Sequence, residues 1–235
     1  MFDIGIHVDG CFERLAATLE SLSRSADAQS VWLLVPPECN ELNWSMFAPC
    51  HVVRVHRAGG ASAFNALLEH GTSPHVVFLE SGTRITPESL SRLVNTIAGD
   101  VALAGPSSNL TWNEQRQRDA PAVNADSDRI NAYELRVVGR YGDRTQELLP
   151  LHSLSDFCFA AARQASLSLG GADDAYDPGP CWEIDLNVRL HRAGWRSLWV
   201  MGAYAHRREI SVRRRSDERE FFVANTRRFQ ERFCG

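Results

Sequence analysis

Residues 75–87 read His75-Val-Val-Phe-Leu-Glu80-Ser-Gly-Thr-Arg-Ile-Thr-Pro87, and this stretch sets the reading of the fold. The apolar run from His75 to Glu80 fits a strand buried on both faces. Thr86-Pro87 then supplies an N-cap followed by proline at the first helical position. Leu90, Leu93, Val94 and Ile97 give the next helix one apolar face. The same alternation runs upstream. Phe2, Ile4, Ile6 and Val8 alternate as in a strand, and Phe12, Leu15, Ala16, Leu19 and Leu22 form a helical stripe. Residues 31–35 are a short apolar run stopped by Pro36-Pro37, residues 51–55 read as a strand, and residues 61–70 as a helix closed by Gly71. Residues 101–104 are strand-like again. Strands alternating with helices predict an α/β fold, a mostly parallel sheet with helices on its faces. Ligands on such sheets bind at the carboxyl ends of the strands, which singles out His7-Val8-Asp9, the segment after Val35, and Glu80-Ser81-Gly82.

The chain has 235 residues, 44% of them hydrophobic and 23% charged, as in ordinary globular proteins. Its apolar runs are too short to span a bilayer and no cationic-apolar leader opens it, so a soluble, cytoplasmic protein is expected. All 25 basic residues are arginine, which excludes mechanisms that need a Schiff-base or phosphate-loop lysine. The net charge of -4 argues against a nucleic-acid binder. Six cysteines without a C-x-x-C pair and eight dispersed histidines give no zinc-site spacing.

From Gly105 to about Leu151 the periodicity breaks, and the polar segment 111–148 reads as a lid or acceptor loop. A second structured region follows: an apolar stretch at 157–159, a Gly170-Gly171 turn, an acidic loop at 173–180, a helix from Trp182 to Gly194, a strand over 198–204 and a helical stripe over 216–233. Glu183 and Asp185 begin the 182–194 helix after a loop stiffened by Pro178 and Pro180. A carboxylate there suits helix capping, and equally a rigidly held general base. Glu80 ends a buried strand, where a carboxylate can bind a cation or a ribose or face solvent. His206 closes another strand beside Arg207 and Arg208, whose planar forks suit phosphate oxygens.

In this order the segments resemble a family 2 glycosyltransferase of the GT-A fold, over most of the chain. The opening strand and leucine-rich helix, Gly59-Gly60-Ala61-Ser62-Ala63-Phe64-Asn65, and the 78–87 strand and turn look like the family's donor half. Gly105-Pro106-Ser107-Ser108-Asn109 fits a family loop. Leu169-Gly170-Gly171-Ala172-Asp173-Asp174 resembles the glycine-glycine-aromatic-aspartate turn, and Trp182-Glu183-Ile184-Asp185-Leu186-Asn187-Val188-Arg189 the acidic catalytic motif running into its helix.

The resemblance implies a single glycosyltransferase domain over 1–235, alone or within a larger polypeptide, with a nucleotide-sugar-binding half at 1–105 and an acceptor half at 106–235. It implies an inverting enzyme of polysaccharide biosynthesis that moves a sugar from a nucleotide-diphosphate donor to a hydroxyl of a glycan, lipid-linked sugar or protein. Glu183 falls at the catalytic base, with Asp185 as the second acid and Arg189 in support. His7, Asp9, Asn65, Glu80, Arg84 and Arg207 are the expected donor contacts, and Glu80 and His206 the expected ligands of Mn²⁺ or Mg²⁺. Gly82 stands where the family usually has a metal-facing aspartate, which leaves Arg207, Arg208 or Arg84 as alternative carriers of positive charge. A non-catalytic binding or scaffolding domain of the same fold is the rival reading. A nucleotidyltransferase fits less well, because Gly10-Cys11-Phe12 is no glycine- and arginine-rich loop.

Overall fold

The structure is a computed structural model that describes residues 1–23, 28–149, 151–209 and 212–234, the side chains at 212 and 213 excepted. Its first half follows the predicted alternation, with a short fifth strand as an addition: β1 (Phe2–His7), α1 (Phe12–Leu22), β2 (Ala28–Val35), β3 (His51–Arg54), α2 (Gly60–His70), β4 (His75–Glu80), β5 (Thr83–Ile85), α3 (Pro87–Thr96) and β6 (Val101–Ser108). The second half adds α4 (Ser127–Tyr141), β7 (Thr145–Glu147), β8 (Cys158–Ala162), α5 (Arg163–Ser168), α6 (Trp182–Arg192), β9 (Arg196–Arg207) and α7 (Val212–Phe233). These strands form one sheet in the order β3-β2-β1-β4-β8-β6-β9-β5, with β7 on β9.

β1, β2, β3 and β4 pair in parallel, β8 enters antiparallel between β4 and β6, and β6 pairs in parallel with β9. The register fixes what meets at the carboxyl ends. His7 lies opposite Glu80 across β1 and β4. The Glu80 amide donates to the Phe157 carbonyl at 2.8 Å, which brings Asp156 alongside. Arg207 pairs with Thr83 at the end of β9. On one face of the sheet, Phe64 of α2 packs with Phe78, Phe159 and Trp182, ring centroids 5.2–6.0 Å from its own. Among the described residues no helix is long and apolar enough to cross a membrane.

The segment 111–148 departs from the loop expectation, since it holds the 15-residue helix α4. Asp126 caps it, accepting from the Arg129 amide at 2.9 Å. Of α4 only Ile130, Tyr133 and Val137 are buried in the apolar cluster on Tyr204, with Tyr141 partly buried against it, so the buried stripe is narrow within a polar sequence. The Tyr133 and Tyr204 rings meet edge to face at 5.0 Å. Tyr133→Ala should cost about 3 kcal/mol, the usual scale for a buried aromatic. It should also open the segment to limited proteolysis, whereas the wild-type segment resists, with cleavage sites read by mass spectrometry.

Candidate active site

The carboxyl ends of β1 and β4, the turn into α2, the start of α6 and the first turns of α7 frame a small cleft of about 70 Å³, open to solvent. His7, Asp9, Glu80, Asp156, Trp182 and Arg214 are among its walls. The entry to α2 explains the Gly59-Gly60 pair. A Cβ on Gly59, whose φ is 135°, would sit 2.1 Å from Asp177, and one on Gly60 would meet the Trp182 ring at 2.7 Å. Asp177 uses this close approach to cap α2, accepting from the amides of Ala61 at 3.0 Å and Ser62 at 2.8 Å. Burial pushes its carboxyl up to about 6.

Glu80 is buried beneath the cleft and held by two guanidinium groups. Arg207 reaches Oε2 at 2.8 Å and Arg214 reaches Oε1 at 3.0 Å. Burial alone would raise the Glu80 carboxyl, but the charges of Arg207, Arg214 and Arg14 outweigh it and bring it to about 2. Arg207 also lies over the Phe157 ring, 4.9 Å from its centroid. Arg214 spans Glu80, Asp156 and Glu218. Burial, followed by the charge of Arg214, pushes the His7 imidazole down to about 4, so His7 is neutral at pH 7. Asp9 accepts from the Ser81 hydroxyl at 2.8 Å and pairs with Arg14 at 2.7 Å.

The two acids of α6 have different surroundings. Asp185 is completely buried and bound on all sides by Arg189, Arg232 at 2.8 Å and the Tyr176 hydroxyl at 3.3 Å. Arg189 in turn donates to the carbonyls of Leu169 and Gly171, which fastens the glycine turn to the helix. Glu183 is half-buried, yet its Oε2 lies wholly inside without a hydrogen-bond partner. Burial, followed by the nearby Asp156 carboxylate, pushes its carboxyl up to about 8.

His7, Asp9 and Glu80 thus line the cleft and Arg207 pairs with Glu80, while Glu183 follows the lining residue Trp182 in the chain and interacts electrostatically with Asp156 and Arg214. Three other expected contacts lie elsewhere. Asn65 is engaged in two 2.8 Å hydrogen bonds with the Ala172 backbone. Arg84 reaches Glu20 on α1 at 2.6 Å. His206 shares the α4 face of β9 with Tyr204, whose hydroxyl is 3.1 Å from Nδ1, because residues two apart on a strand point the same way. Arg207 points to the opposite face, so Glu80 and His206 have separate partners. Burial lowers the His206 imidazole.

A divalent metal does not fit the residues at this cleft. Glu80 is engaged by guanidinium groups on both oxygens, and among the described residues no three His, Cys, Asp or Glu side chains could hold a metal ion. Gly82 adopts φ 91°, a conformation that strains any side chain, so the backbone disfavours the missing aspartate, and the Arg14 guanidinium, 2.9 Å from where a Cβ would sit, would have to shift. Arg14, Asp156 and Arg214 escaped the sequence reading. For Arg214 a signal existed: arginines 213–215 open a helix, where the dipole disfavours cations and calls for acidic partners.

No protein-family model matches the chain and no curated protein matches it by sequence. Solved structures do match its shape. GalNAc-T7 with UDP, GalNAc and Mn²⁺ superimposes with a TM-score of 0.63 at 13% identity, over 89% of this chain and 44% of that one. The mannosyltransferase PcManGT from Pyrobaculum calidifontis, in complex with GDP-Man and Mn²⁺, gives 0.62 at 14% identity, over 90% and 57%. TarS of S. aureus with UDP-GlcNAc gives 0.59 at 12%, over 89% and 59%. The fold is GT-A. The chain spans about half the length of these structures.

Gly82→Asp should therefore leave the protein without Mn²⁺ binding and cost about 1–3 kcal/mol of stability, as strain at positive φ usually does. Chemical denaturation and metal titration of the variant check both outcomes.

Proposed function

We propose that this chain moves a sugar from a nucleotide-diphosphate donor to an acceptor hydroxyl, with inversion at the anomeric carbon and Glu183 as the base. The observation that carries the reading is the unpartnered, buried Oε2 of Glu183 beside a cleft at the strand ends of a GT-A sheet. A buried acceptor atom left unpaired costs roughly 1–3 kcal/mol, and such a cost is characteristic of functional groups. The bound UDP, GDP-Man and UDP-GlcNAc of the superimposed structures support the donor class.

In the reaction the acceptor oxygen bonds to the anomeric carbon while its proton passes to Glu183 Oε2. The bond from that carbon to the diphosphate oxygen breaks, and the electron pair leaves with the diphosphate. Asp185 takes no proton in this scheme. Anchored by Arg189, Arg232 and Tyr176, it fixes the first turn of α6 and so the position of Glu183. His7 and Asp9 line the cleft, and in this reading they contact the donor. A carboxyl pushed up to about 8 is mostly protonated at neutral pH, so the active form grows as pH rises.

Turnover of a panel of nucleotide sugars, read as release of nucleoside diphosphate, tests the reading. Glu183→Gln should lower kcat by about 10²–10⁴-fold and leave donor affinity unchanged. For the wild type, log kcat/KM should climb with unit slope to about pH 8 and then level. Retained turnover in Glu183→Gln excludes the role. Stability should move the other way. Because the folded-state value lies above the unfolded one, the stability linked to Glu183 is complete below the ordinary glutamate range and is lost as pH rises through about 8. Glu183→Gln should therefore melt higher than wild type at pH 8–9, by about 2–4 °C per kcal/mol recovered.

A further inference from the structure

We infer that the guanidinium of Arg214 occupies the cation position of this site, so that the protein excludes divalent metal and meets a diphosphate with a charge of its own. Two of the superimposed GT-A structures hold Mn²⁺. Here the end of β4 offers Glu80, whose oxygens face Arg207 and Arg214, and Asp156 nearby is paired with Arg214. Arg214 comes from the first turns of α7 and is among the residues that line the cleft. Its Nη1 lies 3.0 Å from Glu80 and its Nη2 binds Asp156, so the fork bridges two carboxylates as a divalent ion would. Arg14 closes the second position, filling the space beside Gly82 that a side chain there would need.

The cleft is lined by several acids, Asp9, Glu38, Glu80, Asp156, Asp217 and Glu218, around Arg214. Arg14, Arg207 and Arg214 face Asp9, Glu80 and Asp156. Arg214 is also paired with Glu218, one helical turn along α7, which meets Nε at 3.0 Å from the more exposed rim. Glu218 is the carboxylate that an entering diphosphate replaces, since Glu80 and Asp156 are held by the sheet and its neighbouring loop. An arginine fork suits phosphate oxygens as it suits carboxylates, and it needs no metal to carry charge. The inference rests on the sugar-transfer reading only for the identity of the anion as a donor's diphosphate.

Two probes that need no turnover test it. Mn²⁺ alone, followed by paramagnetic resonance, should remain free in the presence of wild-type protein. Arg214→Ala should gain a stoichiometric Mn²⁺ site on Glu80 and Asp156. Inorganic pyrophosphate, followed by calorimetry, should bind wild type equally well in chelator and in Mn²⁺. Arg214→Ala should lose about 10- to 100-fold in chelator, the scale of a lost charge-assisted contact, and regain affinity with Mn²⁺. Should Arg214→Ala not fold, Glu218→Gln serves instead, and it should bind pyrophosphate several-fold more tightly without metal. A wild-type protein that takes up one Mn²⁺, or binds pyrophosphate only with Mn²⁺, overturns the inference, as does Glu218→Gln with unchanged or weaker binding. Metal-free pyrophosphate binding that depends on Arg214, without turnover of any nucleotide sugar, retains the built-in cation and removes the sugar-transfer reading. Turnover that requires Mn²⁺ does the reverse.

Discussion

The rest of the site depends on one buried charge. Glu80 ends the central strand β4 with its carboxylate out of water, and a buried carboxylate persists only when it is paired and hydrogen-bonded. Its two partners come from distant parts of the chain. Arg207 arrives at the end of β9 and Arg214 with the first turns of α7. The pairing therefore ties the last helix to a strand of the first half. Further along, Asn225 of α7 donates to the carbonyls of Tyr176 and Pro180, and Arg232 reaches Asp185. The same helix thus helps hold both the floor of the cleft and the loop that presents Glu183.

That arrangement separates two glutamates chemically. Arginines bring Glu80 to about 2, while burial and the Asp156 carboxylate push Glu183 up to about 8. Titratable groups driven apart by their surroundings divide the work of acid–base chemistry. Glu80 is a permanently ionised anchor for two cations, and Glu183 is the group whose proton can move near neutral pH. Asp185, two residues away, is held in place by Arg189, Arg232 and Tyr176 and serves the geometry of α6.

Much of this was legible in the sequence, and the exceptions have physical causes. The strands and helices of the first half announce themselves because burial on both faces of β4, and on one face of α1 and α3, imposes clear periods. The Glu183–Arg189 turn was legible because it is local: capping, ion pairing and the glycine turn lie within some twenty residues. Helix α4 was hidden by a stripe of only three buried apolar residues. The face of β9 on which His206 lies was hidden as well. The pairing of β6 and β9 shifts register after Pro106, where Val200 gives way to Tyr204, and such an irregularity resets which side chains look into the cleft. Arg214 meets Glu80 across more than a hundred residues, which no local pattern records.

In the proposed reaction Glu183 is a proton acceptor poised near neutral pH, and Glu80 of the same protein stays ionised. Carbon-13 resonances of the glutamate carboxyl groups, followed from pH 3 to 10 in wild type and in Glu183→Gln, test it most directly. One glutamate should titrate near pH 8 and be missing from the variant, and one should remain ionised down to the acid limit of the folded protein. A wild-type spectrum in which every glutamate titrates in the ordinary carboxylate range would contradict it.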